Sequence, residues 1–235
     1  MMRRVKLFIE KYFPQVAQVL KEFKSRTLNR AKASKQQENL HKNGSDVLVA
    51  LKKAFDELGI EWFLAYGTLL GACREKNFIA HDLDIDIGLF LDDYGPHIEE
   101  TLKRHGFEKK HKFIVDGGEF AVEETYIYRD VGIDFFYFKI IDGKLVGYSF
   151  TNEQGLSWDM TVQKYGGLLV KEFIFPYDGL EEMEFLGSIY PVPKDPHRHL
   201  AVHYGDNYMT KDNNWNPSKN KNYHYRKDKI GILSR

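Results

Sequence analysis

Apolar positions fall at Val5, Phe8, Ile9, Tyr12, Phe13, Val16, Val19, Leu20 and Phe23, a helical spacing that leaves one apolar stripe among lysines and arginines. Pro14 interrupts the stripe and is expected to kink or split the helix. Asn29 to Asn43 is polar and reads as a linker or a solvated helix. A second helix is predicted from about Ser45 to Leu58. Ser45 or Asp46 caps it, Val47, Leu48, Leu51, Ala54, Phe55 and Leu58 form its buried face, and Gly59 stops it. Ile60 to Tyr66 reads as a buried strand, Gly67-Thr68 as a turn, and Leu69 to Arg74 as a short helix. Leu83-Asp84-Ile85-Asp86-Ile87-Gly88-Leu89 alternates strictly, which predicts a strand with one apolar face. Asp92, Asp93 and Pro96 open a helix that closes at Gly106. Strands are expected over Phe107–Val115, Phe120–Tyr128 and Val131–Ile141, with Lys144–Phe150 returning through an Asp142-Gly143 turn. His197 to Tyr204 reads as one more short helix, and the tail from Asp212 is polar.

A chain of 235 residues suits one domain with an appendage. Apolar residues make up 43%, with 17 Phe and 14 Tyr, so a packed core is expected and global disorder is not. Net charge is +0, which gives no reason to expect a nucleic-acid partner. The charge is unevenly placed: residues 1–35 hold ten Lys or Arg against two Glu, a net +8 that the rest of the chain balances. An apolar stripe with that charge resembles an interfacial helix, so residues 1–35 are a candidate peripheral membrane contact. Packing on the domain itself or on a second subunit is the alternative. A single cysteine, Cys73, excludes an internal disulfide and an all-cysteine zinc site, and points to a cytoplasmic setting. Lys6, Glu10 and Lys11 break any signal-peptide core, and the uncharged run Trp62–Cys73 is far shorter than the roughly 20 residues a membrane-spanning helix needs.

Candidate chemistry centres on the alternating strand. Side chains at i and i+2 share a face, so Asp82, Asp84 and Asp86 are expected together, opposite Leu83, Ile85, Ile87 and Leu89. Like carboxylates this close repel, and a divalent cation such as Mg²⁺ or Mn²⁺ relieves them. Two such acids on one strand can bridge two ions. The plain alternative is a solvated strand face. Asp134 lies in another apolar run, Gly132-Ile133-Asp134-Phe135-Phe136, where an acid needs either metal or a basic partner. His199 and His203 stand at i and i+4, and with no third ligand in view a solvated helix face is favoured over zinc. Cys73 reads as a small core residue, and Trp158 and Trp215 as packing residues more than as stacking platforms.

Ala65-Tyr66-Gly67-Thr68-Leu69-Leu70-Gly71-Ala72-Cys73-Arg74, followed by Phe78-Ile79-Ala80-His81-Asp82-Leu83-Asp84-Ile85-Asp86-Ile87-Gly88, closely resembles the signature of the LicD family. That family includes bacterial phosphocholine transferases and is related to the fukutin-type ribitol-phosphate transferases. Tyr204-Gly205-Asp206-Asn207-Tyr208-Met209 is similar to its C-terminal Tyr-Gly-Asp motif. There are departures: His81 stands where the family usually has an aromatic, Leu83 replaces one of three consecutive acids, and the zinc-binding cysteine cluster of the vertebrate relatives is absent.

The resemblance implies an α+β fold, a nucleotidyltransferase-like mixed sheet flanked by helices, here with an N-terminal amphipathic helical extension. It divides the chain into an extension and linker (1–44), a catalytic domain (45–210) and a polar tail (211–235). It also implies metal on Asp84, Asp86 and Asp134, with these three acting in catalysis and substrate contacts from Gly67, Thr68, Arg74, Lys76, His81 and Asp82. For Arg74 a surface ion pair is an equal expectation. The implied reaction moves a phospho-alcohol (phosphocholine, ribitol phosphate, glycerol phosphate or similar) from a CDP-activated donor to a hydroxyl of a glycan or glycolipid. The implied setting is assembly of capsule, lipopolysaccharide or a related surface polysaccharide at the inner membrane face. Two alternatives stay open: a nucleotidyltransferase that releases pyrophosphate, acting on a protein, RNA or small molecule, and a non-catalytic binding module on the same fold.

Overall fold

The computed structural model describes residues 14–212 and 222–234. Most of the basic apolar stripe, and Trp215, lie outside the residues whose side chains are described. The first element is one helix, α1 (Pro14–Leu58). The segment expected as a linker or solvated helix is thus part of it, and no boundary falls at Ser45. The reason is a continued apolar stripe: Leu40 is fully buried, and Gly44 follows at i+4 where an added Cβ would meet the Phe78 ring at 2.4 Å. Val47, Leu48 and Leu51 extend the same face. The polar side is also anchored, since Asn43 Nδ2 donates to the Arg129 carbonyl at 3.0 Å and Arg129 pairs with Asp46. Gly59, at φ 66°, closes the helix as expected.

The chain then builds β1 (Trp62–Leu64), α2 (Tyr66–Arg74), β2 (Asp84–Phe90), a 3₁₀ turn at Leu91–Asp93, and α3 (Pro96–Arg104). Next come β3 (Glu108–Val115), β4 (Ala121–Tyr128), β5 (Val131–Ile141) and β6 (Lys144–Thr151), followed by α4 (Trp158–Tyr165), β7 (Leu168–Pro176), the hairpin β8 (Leu180–Phe185) and β9 (Ser188–Pro193), α5 (Pro196–Tyr204) and β10 (Tyr223–Ser234). Eight strands form one mixed sheet in the order β1-β2-β5-β4-β3-β10-β7-β6. An extra pairing of β5 with β6 closes its last six strands on themselves. The segment read as a polar tail supplies β10. It pairs with β3 at one end and β7 at the other, with a register shift between Tyr225 and Ile230. Among the described residues no helix is long and apolar enough to cross a membrane.

The two faces of this sheet differ in kind. Ile85, Ile87 and Leu89 of β2, with Val131, Ile133, Phe135 and Tyr137 of β5, pack under α1 and α3 in the main core. Fully burying each such side chain is worth about 1.5–3 kcal/mol. Their sequence neighbours Asp84, Asp86, Asp134 and Phe136 therefore point the other way. β2 and β5 are parallel, and their register sets Asp86 directly beside Asp134, and Asp84 beside Gly132.

Candidate functional site

α2 delivers its first turn onto the acidic face. Its N-terminus is stitched to β2 by three bonds: Ala65 N–H to the Asp86 carbonyl (3.0 Å), Gly67 N–H to Asp86 Oδ2 (2.8 Å), and Asp86 N–H to Thr68 Oγ1 (2.9 Å). The helix N-terminus favours a negative charge, and here it receives an internal carboxylate. Gly67 is required by space. A Cβ there would lie 3.0 Å from Asp86 Oδ2 and 3.1 Å from Asp82 Oδ2. Tyr66 enters the helix at φ 37°, and its ring packs on Phe136 at 4.7 Å.

Four aspartates and a glutamate share this corner. Asp82 precedes β2 instead of lying in it, yet the turn folds it back to the position that strand alternation anticipated. Its Oδ2 is shielded from solvent and has no hydrogen-bond partner among the described residues. Burial lifts its carboxyl to about 6, with Arg74 pulling the other way. Burial, then Asp134 and Asp82, push Asp84 up to about 7. Asp86 is held well above the carboxylate range by burial and by its three acidic neighbours. Asp134 is raised by burial, and Thr125, which donates to its Oδ1 at 2.7 Å, works against the rise. Glu123 of β4 is the residue that the sequence reading missed. Burial and the charge of Asp134 hold it well above its usual value, and its partial offset is a hydrogen bond from the Phe150 backbone.

Several oxygens that repel one another, facing away from the core and short of internal donors, form a donor set suited to a hard divalent cation. Asp86 and Asp134 each turn one oxygen to an internal donor. Among the described residues no three such groups already converge on one point, so a cation would have to draw them in.

A cleft of about 100 Å³ opens beside the cluster, lined by Gly67, Arg74, His81, Asp82, Tyr204 and Tyr208 among others. His81 is exposed at its rim. Arg74 makes the expected ion pair with Glu75 at 3.1 Å, donates to the Tyr208 carbonyl at 3.1 Å, and borders the cleft. The Tyr204-to-Tyr208 segment closes the opposite wall, so the two motifs that are far apart in sequence meet here. Two of the residues expected at the site lie away from the cleft. Thr68 is fully buried because the third position of α2 faces the sheet, and its hydroxyl accepts from Asp86 N–H. Lys76 is exposed beyond the end of α2 and does not line the cleft.

Three of the remaining candidates, Cys73, His199 and His203, lie in the interior. Cys73 is buried, and burial raises its thiol to about 11, as befits a small apolar residue. His199 and His203 are not on a solvated face. His199 stacks on Phe175 at 4.2 Å, and burial lowers the two imidazoles to about 3 and about 4. Trp158, 47% exposed at the start of α4, packs its ring on Phe113 at 5.6 Å, as a packing residue should.

Residues 59–195 match the family described as LicD/FKTN/FKRP, nucleotidyltransferase domain, a segment running from the end of α1 to the start of α5 and containing every acid of the cluster. The chain belongs to this family. Curated relatives include the ribitol-5-phosphate transferases FKTN of Homo sapiens and Mus musculus. Each is 27% identical over 176 residues, covering 74% of this chain and 35% of the relative. An uncharacterized Caenorhabditis elegans protein is 27% identical over 186 residues, 74% of this chain and 45% of its own. The LicD-family chain described here thus spans about a third of the length of the FKTN proteins it matches.

Proposed function

We infer that this LicD-family domain transfers a phospho-alcohol group from a CDP-activated donor to a glycan hydroxyl, with Mg²⁺ or Mn²⁺ held by Asp84, Asp86 and Asp134. The observation that carries this reading is the parallel register that sets Asp86 beside Asp134, two positions from Asp84, on the polar face of an otherwise apolar sheet. Similarity to FKTN, a ribitol-5-phosphate transferase by name, supports the class of group transferred.

The bound cation would supply charge neutralisation at the donor diphosphate. The chain's own residues do the rest. Gly67 lets the Asp86 and Asp82 carboxylates close on the start of α2, where a side chain would push them aside, and so keeps both acids at the edge of the cleft. Arg74, fixed by Glu75 and the Tyr208 carbonyl, presents a positive charge to the cleft without having to be ordered on binding. His81 stands at the rim, where donor or acceptor groups pass. A carboxylate raised by burial is a better proton acceptor than a free one, which suits Asp134 or Glu123 to take the proton of the attacking hydroxyl.

The test is to incubate the protein with a panel of CDP-alcohols, Mn²⁺ or Mg²⁺ and a glycan acceptor. The expected result is CMP release and an acceptor mass gain equal to the phospho-alcohol. Pyrophosphate release from CTP or ATP, with a nucleotide-sized mass gain, would replace this reading with nucleotidyl transfer.

A further inference from the structure

β3 carries an irregularity that places one side chain. Lys109 pairs across the ladder with Tyr126, yet His111 pairs with Thr125, so two steps along β3 match one step along β4. In a regular strand Lys109 and His111 would share a face. The bulge at Lys110 separates them. Lys109 stays on the core face, where it pairs with the buried Glu124, and His111 turns to the acidic face.

His111 there meets Thr125. The distance from His111 Nε2 to Thr125 Oγ1 is 3.2 Å, and from Thr125 Oγ1 to Asp134 Oδ1 it is 2.7 Å. Directions follow from proton counting. An ionised carboxylate only accepts, so Thr125 gives its single proton to Asp134. The hydroxyl then has only lone pairs left for His111, and Nε2 must be the protonated nitrogen. The ring is held edge-on against Phe113 at 5.3 Å, which fixes its plane.

We propose that His111, acting through Thr125, is a positioning residue for Asp134: the relay pins Oδ1 of that carboxylate toward the sheet and leaves Oδ2 as the atom presented to a cation. The metal part rests on the function inferred above. The relay itself does not. Asp86 is handled in the same manner from the opposite side, with Oδ2 pinned by Gly67 N–H. The two neighbouring acids therefore each keep one oxygen for the space between them. Partners of this kind behind a metal ligand typically change metal affinity 10- to 100-fold when removed.

The experiment has two arms on the full-length chain. ¹⁵N-edited NMR of histidine-labelled protein, without metal or donor, reads the His111 Nε2–H, identified by its absence in His111→Asn. Near neutral pH this proton is expected to be protected from exchange in the wild type, exposed in the isosteric Thr125→Val, and protected again in Thr125→Ser. Equilibrium Mn²⁺ binding, also without donor, is expected to weaken about tenfold or more in Thr125→Val and in His111→Phe, and to recover in Thr125→Ser. Denaturant midpoints establish that each variant is folded. A wild-type His111 Nε2–H that exchanges as fast as in Thr125→Val overturns the relay. Mn²⁺ affinity of Thr125→Val within twofold of wild type overturns the positioning role. Failure of the wild type to bind Mn²⁺ while the NMR pattern holds would sink the metal reading and the presentation of Oδ2 to a cation, and would leave the relay standing as a device that orients Asp134.

Discussion

Replacing Asp84 by Asn should make the metal-free protein more stable. Asp84 is lifted from 3.8 to about 7, first by burial and then by Asp134 and Asp82. A carboxyl raised on folding contributes its stability fully below the unfolded value near 4, and loses it as pH climbs through 7. At about 1.36 kcal/mol per unit, the rise of about three units bounds the loss at roughly 4 kcal/mol. Asp84 is only half-buried and shares its rise with Asp86 and Asp134, so a net gain of about 1–2 kcal/mol is the working expectation. Asn keeps the shape, removes the charge, and has the open side of the strand in which to find water. Urea unfolding in chelator at pH 5 and pH 8 measures it, and the advantage of the variant should grow with pH. Saturating Mn²⁺ should reverse the order, because a ligand at a hundred times its dissociation constant adds about 2.7 kcal/mol to the protein that binds it. A variant less stable than wild type at pH 8 in chelator, or an advantage indifferent to pH, would refute the picture of a strained acidic cluster.

Four further outcomes are expected. Asp86→Asn and Asp134→Asn should each leave well under a tenth of wild-type CMP release; a tenth corresponds to only ~1.4 kcal/mol of barrier, too little for loss of a metal ligand, so a rate above it counts against the assignment. Gly67→Ala places its Cβ 3.0 Å from Asp86 Oδ2 and should cut turnover about tenfold or more while lowering the urea midpoint only slightly; full activity would show that the seat of Asp86 against α2 does not matter to the reaction. His199→Phe should flatten the acid limb of stability: a histidine lowered from 6.5 to about 3 holds its contribution above pH 6.5 and loses it as pH falls, about 2 kcal/mol by pH 5, and an unchanged limb in thermal melts would count against its burial. Deleting residues 1–35 should weaken sedimentation with anionic liposomes, most clearly at low salt, and leave the sheet domain folded; unchanged sedimentation would remove the membrane role of the basic stripe.

What the sequence disclosed follows from which signals are local. The alternation around Asp84 and Asp86 fixes the faces of β2 without reference to any other strand, and the core residues Ile85 and Ile87 behave as that alternation requires. Asp134 could be singled out because an acid between Ile133 and Phe135 is costly unless answered. What no local pattern states is the register between strands, and register is what sets Asp134 directly beside Asp86. The same holds for β10. Its alternation is blurred by charged residues and by the shift between Tyr225 and Ile230, and it becomes a strand only because β3 and β7 offer it edges.

Glu123 and His111 show the limit most sharply. Glu123 and Glu124 are adjacent in a run correctly read as a strand, so they had to face opposite ways, and one of them had to enter the core. Glu124 does so with Lys109 as its counter-ion and with Tyr137, whose hydroxyl donates to it at 2.9 Å. That leaves Glu123 for the acidic face, an assignment the sequence permitted once the partner of either glutamate was known. His111 was beyond reach for a different reason. Regular alternation from Lys109 puts it on the wrong face, and only the bulge at Lys110 turns it toward Thr125. Strand alternation therefore names the acids that every strand can display, while the residues that orient them depend on how neighbouring strands fail to keep step.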